Sequence, residues 1–123
     1  MVVGVGHTYV KVVVHNPDLS RCTEVELLVD TGSTYTWIPQ EKLNELGVKP
    51  VTARRFATID GRRLERSIGE ASIELMGERA TSMVVFAQEK DAKVLGVHAL
   101  EGLGLEVDPN TKAVRKAEAL LAI

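Results

Sequence analysis

Short β-rich runs separated by strong turn signals constrain this chain more than any other feature. Tyr9 to His15 is dense in valine, and Thr23-Glu24-Val25-Glu26-Leu27-Leu28-Val29 alternates polar and apolar residues over its first half. Both read as strands, because a period of two puts every second side chain on one face. Asn16-Pro17-Asp18-Leu19-Ser20 between them carries turn chemistry, which makes the pair a hairpin. A second hairpin is expected where Arg55 to Thr58 and Arg63 to Ser67 flank Asp60-Gly61, and a third where Ala71 to Met76 and Thr81 to Ala87 flank Gly77-Glu78. Trp37-Ile38, Val94-Leu95-Gly96 and Leu105-Glu106-Val107 read as further short strands, the last ending at the turn residues Asp108-Pro109-Asn110. Helix is scarce. Pro39 suits a first helical position and Gly47 a helix end, which predicts a helix from Gln40 to Leu46, and His98 to Leu103 can form one or two turns. The expectation is a mostly-β, single-domain closed barrel or sandwich over residues 1–123 with one or two short helices, undivided by any repeat or linker.

Composition narrows the function. A chain of 123 residues buries roughly two-thirds of its unfolded surface, enough for one core. A net charge of −2 supplies no basic field for nucleic acid. Apolar stretches such as Val12 to Val14 fall far short of the roughly 20 residues of a membrane span. Met1-Val2-Val3-Gly4-Val5-Gly6-His7 has no secretory pattern, so a cytoplasmic location is expected, with neither nucleic acid nor membrane as partner. The single cysteine, Cys22, cannot form an internal disulfide and is expected to pack as a small hydrophobe. His7, His15 and His98 have no metal-ligand spacing with one another or with Cys22, so neither metal nor cofactor is expected. Gly4-Val5-Gly6 lacks the Gly and Lys of a phosphate loop, Trp37 and Ile38 read as core, and no Ser-His-Asp or Cys-His arrangement stands out.

The chemistry concentrates in Leu27-Leu28-Val29-Asp30-Thr31-Gly32-Ser33. A strand of apolar residues delivers a carboxylate into a turn whose glycine leaves backbone open beside it. The triplet Asp-Thr-Gly alone arises by chance in about one chain in fifty of this length, so its surroundings decide. Leu28-Val29-Asp30-Thr31-Gly32-Ser33, the later Val94-Leu95-Gly96 followed by His98-Ala99-Leu100, and the Asp60-Gly61 hairpin between them resemble the retropepsin-like (retroviral-type) aspartic proteases in order and spacing. Ile73-Glu74-Leu75-Met76-Gly77-Glu78-Arg79-Ala80 is similar to the strand-turn-strand that follows the flap in that family, so the resemblance spans about Tyr9 to Val107. One departure is that Val97 and His98 stand where many retroviral members carry an arginine tied to the dimer contacts.

The resemblance implies an aspartic endopeptidase. One carboxylate activates water as a general base while a second, protonated, polarises the carbonyl and supplies a proton to the leaving amine. One chain supplies one motif, so the Asp30 side chains of a homodimer would meet on a two-fold axis and act on a peptide or protein substrate. Thr31 would then hydrogen-bond across the dyad, Gly32 would let backbone reach the substrate, and Ser33 would donate to the outer carboxylate oxygen. Ala57 to Arg63 would form the flap, with Thr58, Ile59, Asp60 and Gly61 over the substrate, and Ala92 and Val94 would line apolar pockets. Val2 to Val5 and Val114 to Ile123 would interleave at the dimer interface. Arg54, Arg55, Arg62, Arg63 and Arg66 outnumber Asp60 and Glu65 around the flap. They read either as a solvated hairpin face or as a means of selecting acidic substrates or pairing with acidic neighbours at the dimer contact. Two other readings stay open: a catalytically silent dimer that binds peptides as a scaffold module, and a small β-domain outside the family.

Overall fold

The computed structural model describes residues 7–118. Nine strands and two short helices follow in chain order: β1 (Tyr9–His15), β2 (Cys22–Val29), β3 (Thr36–Pro39), α1 (Gln40–Leu46), β4 (Thr52–Ala57), β5 (Arg63–Leu75), β6 (Glu78–Ala87), β7 (Val94–Leu95), α2 (Val97–Leu103), β8 (Leu105–Val107) and β9 (Val114–Lys116). The expected terminal elements Val2 to Val5 and residues 119–123, and the Gly4-Val5-Gly6 run, lie outside the described residues.

The main sheet runs β3-β6-β5-β1-β2-β7, with β4 added along β5, and β8 and β9 form a separate ribbon. β1 pairs antiparallel with β2 in unbroken register from Tyr9 opposite Leu28 to His15 opposite Cys22. Alternation places Val12, Val14, Val25, Leu27 and Val29 inside, where they join Ile38, Leu43, Ile73, Val84, Leu95 and Leu100 in one contiguous core. The barrel is not closed. The edge strands β3 and β7 are joined by no ladder, because β7 has only two residues and spends its pairing on β2.

Helix α1 occupies the expected Gln40–Leu46, but Pro39 ends β3 with extended backbone instead of opening the helix. Its end is a Schellman motif: Gly47 adopts φ 77°, its N–H donates to the Asn44 carbonyl, and Val48 N–H donates to that of Leu43. Helix α2 begins at Val97, one residue earlier than expected.

Three further expectations are corrected. Arg63 to Ser67 and Ala71 to Leu75 are not separate strands but parts of the 13-residue β5, and Met76, expected to end the second of them, lies in the following turn. The intervening Gly69 is no break; a Cβ there would stand 2.8 Å from the Lys49 carbonyl, so it marks close backbone approach. The β5–β6 turn is centred on Met76-Gly77, one residue before Gly77-Glu78, because Leu75 and Glu78 are paired across the ladder. Cys22 is exposed, since it opens β2 on the outward-facing side of the hairpin mouth. Among the described residues no helix is long and apolar enough to cross a membrane.

Candidate active site

Strand β2 holds Asp30 at its end by pairing on both sides. Val29 N–H donates to the Thr8 carbonyl at 2.7 Å, and Asp30 N–H donates to the Leu95 carbonyl at 3.0 Å. Ser33 N–H then closes the turn onto the Asp30 carbonyl at 3.1 Å. Within that turn Gly32 N–H donates to Asp30 Oδ1 at 3.0 Å. The half-buried carboxylate is thus aimed by a backbone donor, and a Cβ on Gly32 would stand 3.3 Å from the same oxygen. The small residue keeps that approach open.

The second signature locks onto the first. Gly96 N–H donates to the buried Thr36 hydroxyl at 3.0 Å, Val97 N–H to the Ser33 carbonyl at 2.8 Å, and His98 N–H to the Thr34 carbonyl at 3.2 Å. A Cβ on Gly96 would lie 2.3 Å from the Tyr35 carbonyl oxygen and 2.8 Å from that of Ser33. Only glycine fits where the two segments cross, which is the physical content of the Val94-Leu95-Gly96 motif.

Above this floor stands the β4–β5 hairpin, and between them lies a cavity of about 470 Å³. Asp30, Gly32, Ser33, Ala57, Thr58, Ile59, Ala92 and Val94 all line it, so eight of the expected site residues converge from distant parts of the chain. Three do not. Thr31 faces a second cavity with Val97, Leu100 and Leu105, while Asp60 and Gly61 shape the hairpin tip without lining the main cavity. The tip is a three-residue loop, Ile59-Asp60-Gly61, wider than a two-residue turn centred on Asp60-Gly61. Thr58 N–H donates to the Arg62 carbonyl, Gly61 N–H donates to that of Thr58, and Gly61 adopts φ 87°. The Asp60 carboxylate accepts from the Thr58 hydroxyl and from Arg62 Nε. These contacts, the Thr58 hydrogen bond foremost, hold its pKa below the ordinary value.

Ser33 differs from expectation. Its hydroxyl donates to the Tyr35 carbonyl at 3.0 Å and not to Asp30, because the turn brings that carbonyl within reach. Trp37, expected in the core, is half-buried, lines the cavity and packs edge-on against Phe56 with ring centroids 4.8 Å apart. Sequence reasoning also missed Leu64, Lys90 and Asp91 as cavity walls. Asp91 receives a two-pronged contact from Arg66, Nε to Oδ2 at 2.7 Å and Nη2 to Oδ1 at 3.0 Å, and accepts Gln88 N–H at 2.8 Å. The Arg66 guanidinium, ahead of the other contacts, pulls the Asp91 pKa below its ordinary value. Their separation of 25 positions explains the miss; only a charged residue in a turn beside Ala92 hinted at it. No group of three or more potential metal ligands occurs among the described residues.

Comparison with known proteins gives the family and the fold. The aspartyl protease family model matches residues 10–107, and the chain belongs to that family, with a retropepsin-like fold. Its fold is similar to that of EIAV protease complexed with the inhibitor HBY-793, at 17% identity and a TM-score of 0.61, covering 94% of this chain and 93% of that one. A retropepsin-like aspartic protease from Rickettsia conorii is similar at 20% identity and a TM-score of 0.53, covering 83% of this chain and 76% of that one. The simian foamy virus (mac) protease is similar at 15% identity and a TM-score of 0.50, covering 75% of this chain and 92% of that one. No curated protein matches the chain.

Proposed function

We propose that this chain is an aspartic endopeptidase active as a homodimer, in which the Asp30 carboxylates of two copies hold one proton between them. The observation that carries the reading is Asp30 itself: a carboxylate delivered by a buried strand, aimed by Gly32 N–H, at the rim of a cavity roofed by a hairpin. Like charges this close do not both ionise, so the ionised member draws a proton from water while the protonated member polarises the scissile carbonyl and then protonates the leaving amine. Gly32 backbone, Ala57 and Thr58 would flank the peptide, Ala92 and Val94 would receive apolar side chains, and the tip over Ile59, Asp60 and Gly61 would close to exclude water. Ile59 suits that role, since its side chain is fully exposed at the tip. Thr31, which lines a cavity with Val97, Leu100 and Leu105, would meet the second copy.

Asp30→Asn tests the reading. Peptide hydrolysis should fall by at least a hundredfold, the lower end for loss of a catalytic base, while circular dichroism and sedimentation stay unchanged. Specific activity of the unaltered chain should also fall on dilution as the dimer dissociates. Activity in Asp30→Asn within tenfold of the parent would place the chemistry elsewhere, and a concentration-independent active monomer would refute the shared dyad. Peptide binding without cleavage by the parent would move the reading to a silent peptide-binding dimer.

A further inference from the structure

Beside the candidate catalytic cavity, and continuous with it through Gly32, Ser33, Trp37, Ala57 and Thr58, lies a third hollow of about 330 Å³. Tyr35, Trp37 and Phe56 form its aromatic wall, with Phe56 edge-on to both other rings. Arg54 and Arg55 also line it, and no Asp or Glu does.

The hairpin's alternation explains which arginine matters. Arg54 and Phe56 lie two apart on β4 and share a face. Across the ladder that face continues through Arg66, opposite Arg54, and Leu64, opposite Phe56. Leu64 lines the catalytic cavity and Arg66 reaches Asp91 in its wall, so Arg54 stands on the cleft side. Two like charges directly opposite each other are unfavourable, but Asp91 takes up the charge of Arg66 and Asp60 that of Arg62. Arg54 has no carboxylate within ion-pair distance among the described residues. Arg55, though it also borders the hollow, alternates to the outward face of β4, opposite Glu65, and like Arg54 makes no ion pair among the described residues. On the inward face the hollow therefore carries one uncompensated guanidinium, that of Arg54, beside an aromatic wall.

We propose that this hollow is a specificity subsite in which Arg54 selects an acidic side chain, Glu or Asp, of the peptide substrate. The inference rests on the endopeptidase reading for its ligand class. The side chain's methylenes would lie along the Trp37 and Phe56 rings while its carboxylate pairs with the guanidinium, whose planar fork suits it.

The test uses peptide sets that differ only by Glu, Gln or Lys at one position, scanned across four residues on each side of the scissile bond. At one position kcat/KM for Glu should exceed that for Gln by about tenfold, the worth of a charge-assisted hydrogen bond, and Lys should be poorest. Arg54→Gln should abolish the Glu-to-Gln ratio, Arg54→Lys should restore part of it, and Arg55→Gln should reduce it less. The same peptides titrated into Asp30→Asn, followed by fluorescence of Trp37, the only tryptophan, give a readout that needs no cleavage. Glu-selective binding without hydrolysis by the parent would overturn the endopeptidase reading and uphold the subsite. Hydrolysis with no acidic preference, or a preference that survives Arg54→Gln, would overturn the subsite alone. Neither binding nor hydrolysis of any peptide would overturn both.

Discussion

Strand β5 belongs to two hairpins, and its two halves live in different worlds. From Arg63 to Ser67 it pairs with β4 alone, and this part of the ladder is largely exposed and rich in arginine. From Ile68 onward it pairs with β6, and over Ser72 to Glu74 also with β1, burying Ile68, Ala71 and Ile73 completely. The turns differ in kind. At one end Thr58, Asp60 and Arg62 build a three-residue loop out of side-chain contacts with a bare isoleucine at its tip. At the other, Met76 and Gly77 make a two-residue turn with no side-chain hydrogen bond. One continuous strand thus separates tasks by burial: the packed half holds the fold, and the exposed half presents the cleft wall. If that division is right, substitutions should sort by half. Those in the packed half should move stability without altering peptide selection, and those in the exposed half the reverse.

The largest expected effect is in the packed half. Ile73 has no exposed surface and sits between Val14 and Ala80 in the ladder. Ile73→Ala should lower unfolding free energy by about 3–4 kcal/mol through lost transfer energy and the cavity left behind. Urea unfolding measures this directly. A loss below 1 kcal/mol, or a changed preference among peptides, would break the division.

Next comes the contact that crosses it. Arg66 reaches from the exposed half to Asp91, and the two side chains keep only 12% and 8% of their surface. Removing one partner strands a largely buried charge, so Asp91→Asn should destabilise the chain at neutral pH by about 2–3 kcal/mol, somewhat less than for full burial. The pairing also has a pH signature. Asp91 has a folded pKa below its unfolded value of about 3.9, so it binds its proton less readily when folded. Its contribution is therefore present above about pH 4 and is lost as pH falls through the lowered folded value. Asp91→Asn should flatten that acid limb in thermal melts taken from pH 5 to pH 2. Because Asp91 and Ala92 share a turn that walls the cavity, KM should rise more than kcat falls. An unchanged acid limb would remove the linkage.

Much of this arrangement was legible in local sequence, and the exceptions share a cause. Gly96 was legible only through the resemblance of Val94-Leu95-Gly96 to a family signature, whereas Asp30 and Gly32 could be read because the requirement at each is carried by its neighbours, an apolar strand and a turn. Helix α1 was legible for the same reason, through Gly47 at its end. The continuity of β5 was not, because Gly69 looks like a strand break until the Lys49 carbonyl is seen lying where a Cβ would go. Trp37 is apolar whether it fills a core or walls a cleft, and composition does not distinguish the two. The Ser33 hydroxyl had two acceptors within plausible reach, and only the shape of the turn selects the Tyr35 carbonyl. The open edge between β3 and β7 depends on how few residues β7 commits to pairing, and both of them pair with β2.

The smallest expected effect sharpens the comparison at the tight turn. Met76 adopts φ 54° and Gly77 φ 80°, the two positive values that a two-residue hairpin turn matched to strand twist requires. Gly77 does so freely, whereas Met76 carries a Cβ into the left-handed region at about 1–2 kcal/mol. The residue is 46% exposed, so little packing is lost on replacing it. Met76→Gly relieves the strain but loosens the unfolded chain by about 0.4–1 kcal/mol, leaving a small net gain. Met76→Asn keeps a side chain, tolerates positive φ, and creates the Asn-Gly pair favoured in such turns. It should raise stability by about 0.5–1 kcal/mol, read as a higher urea midpoint with unchanged slope. Peptide selection should not move, since the turn lies at the far end of β5 from the cleft. A stabilised Met76→Asn with altered selectivity would mean that strain at the tight turn is transmitted along β5 to the β4–β5 hairpin, and the two halves would then have to be treated as one mechanical unit.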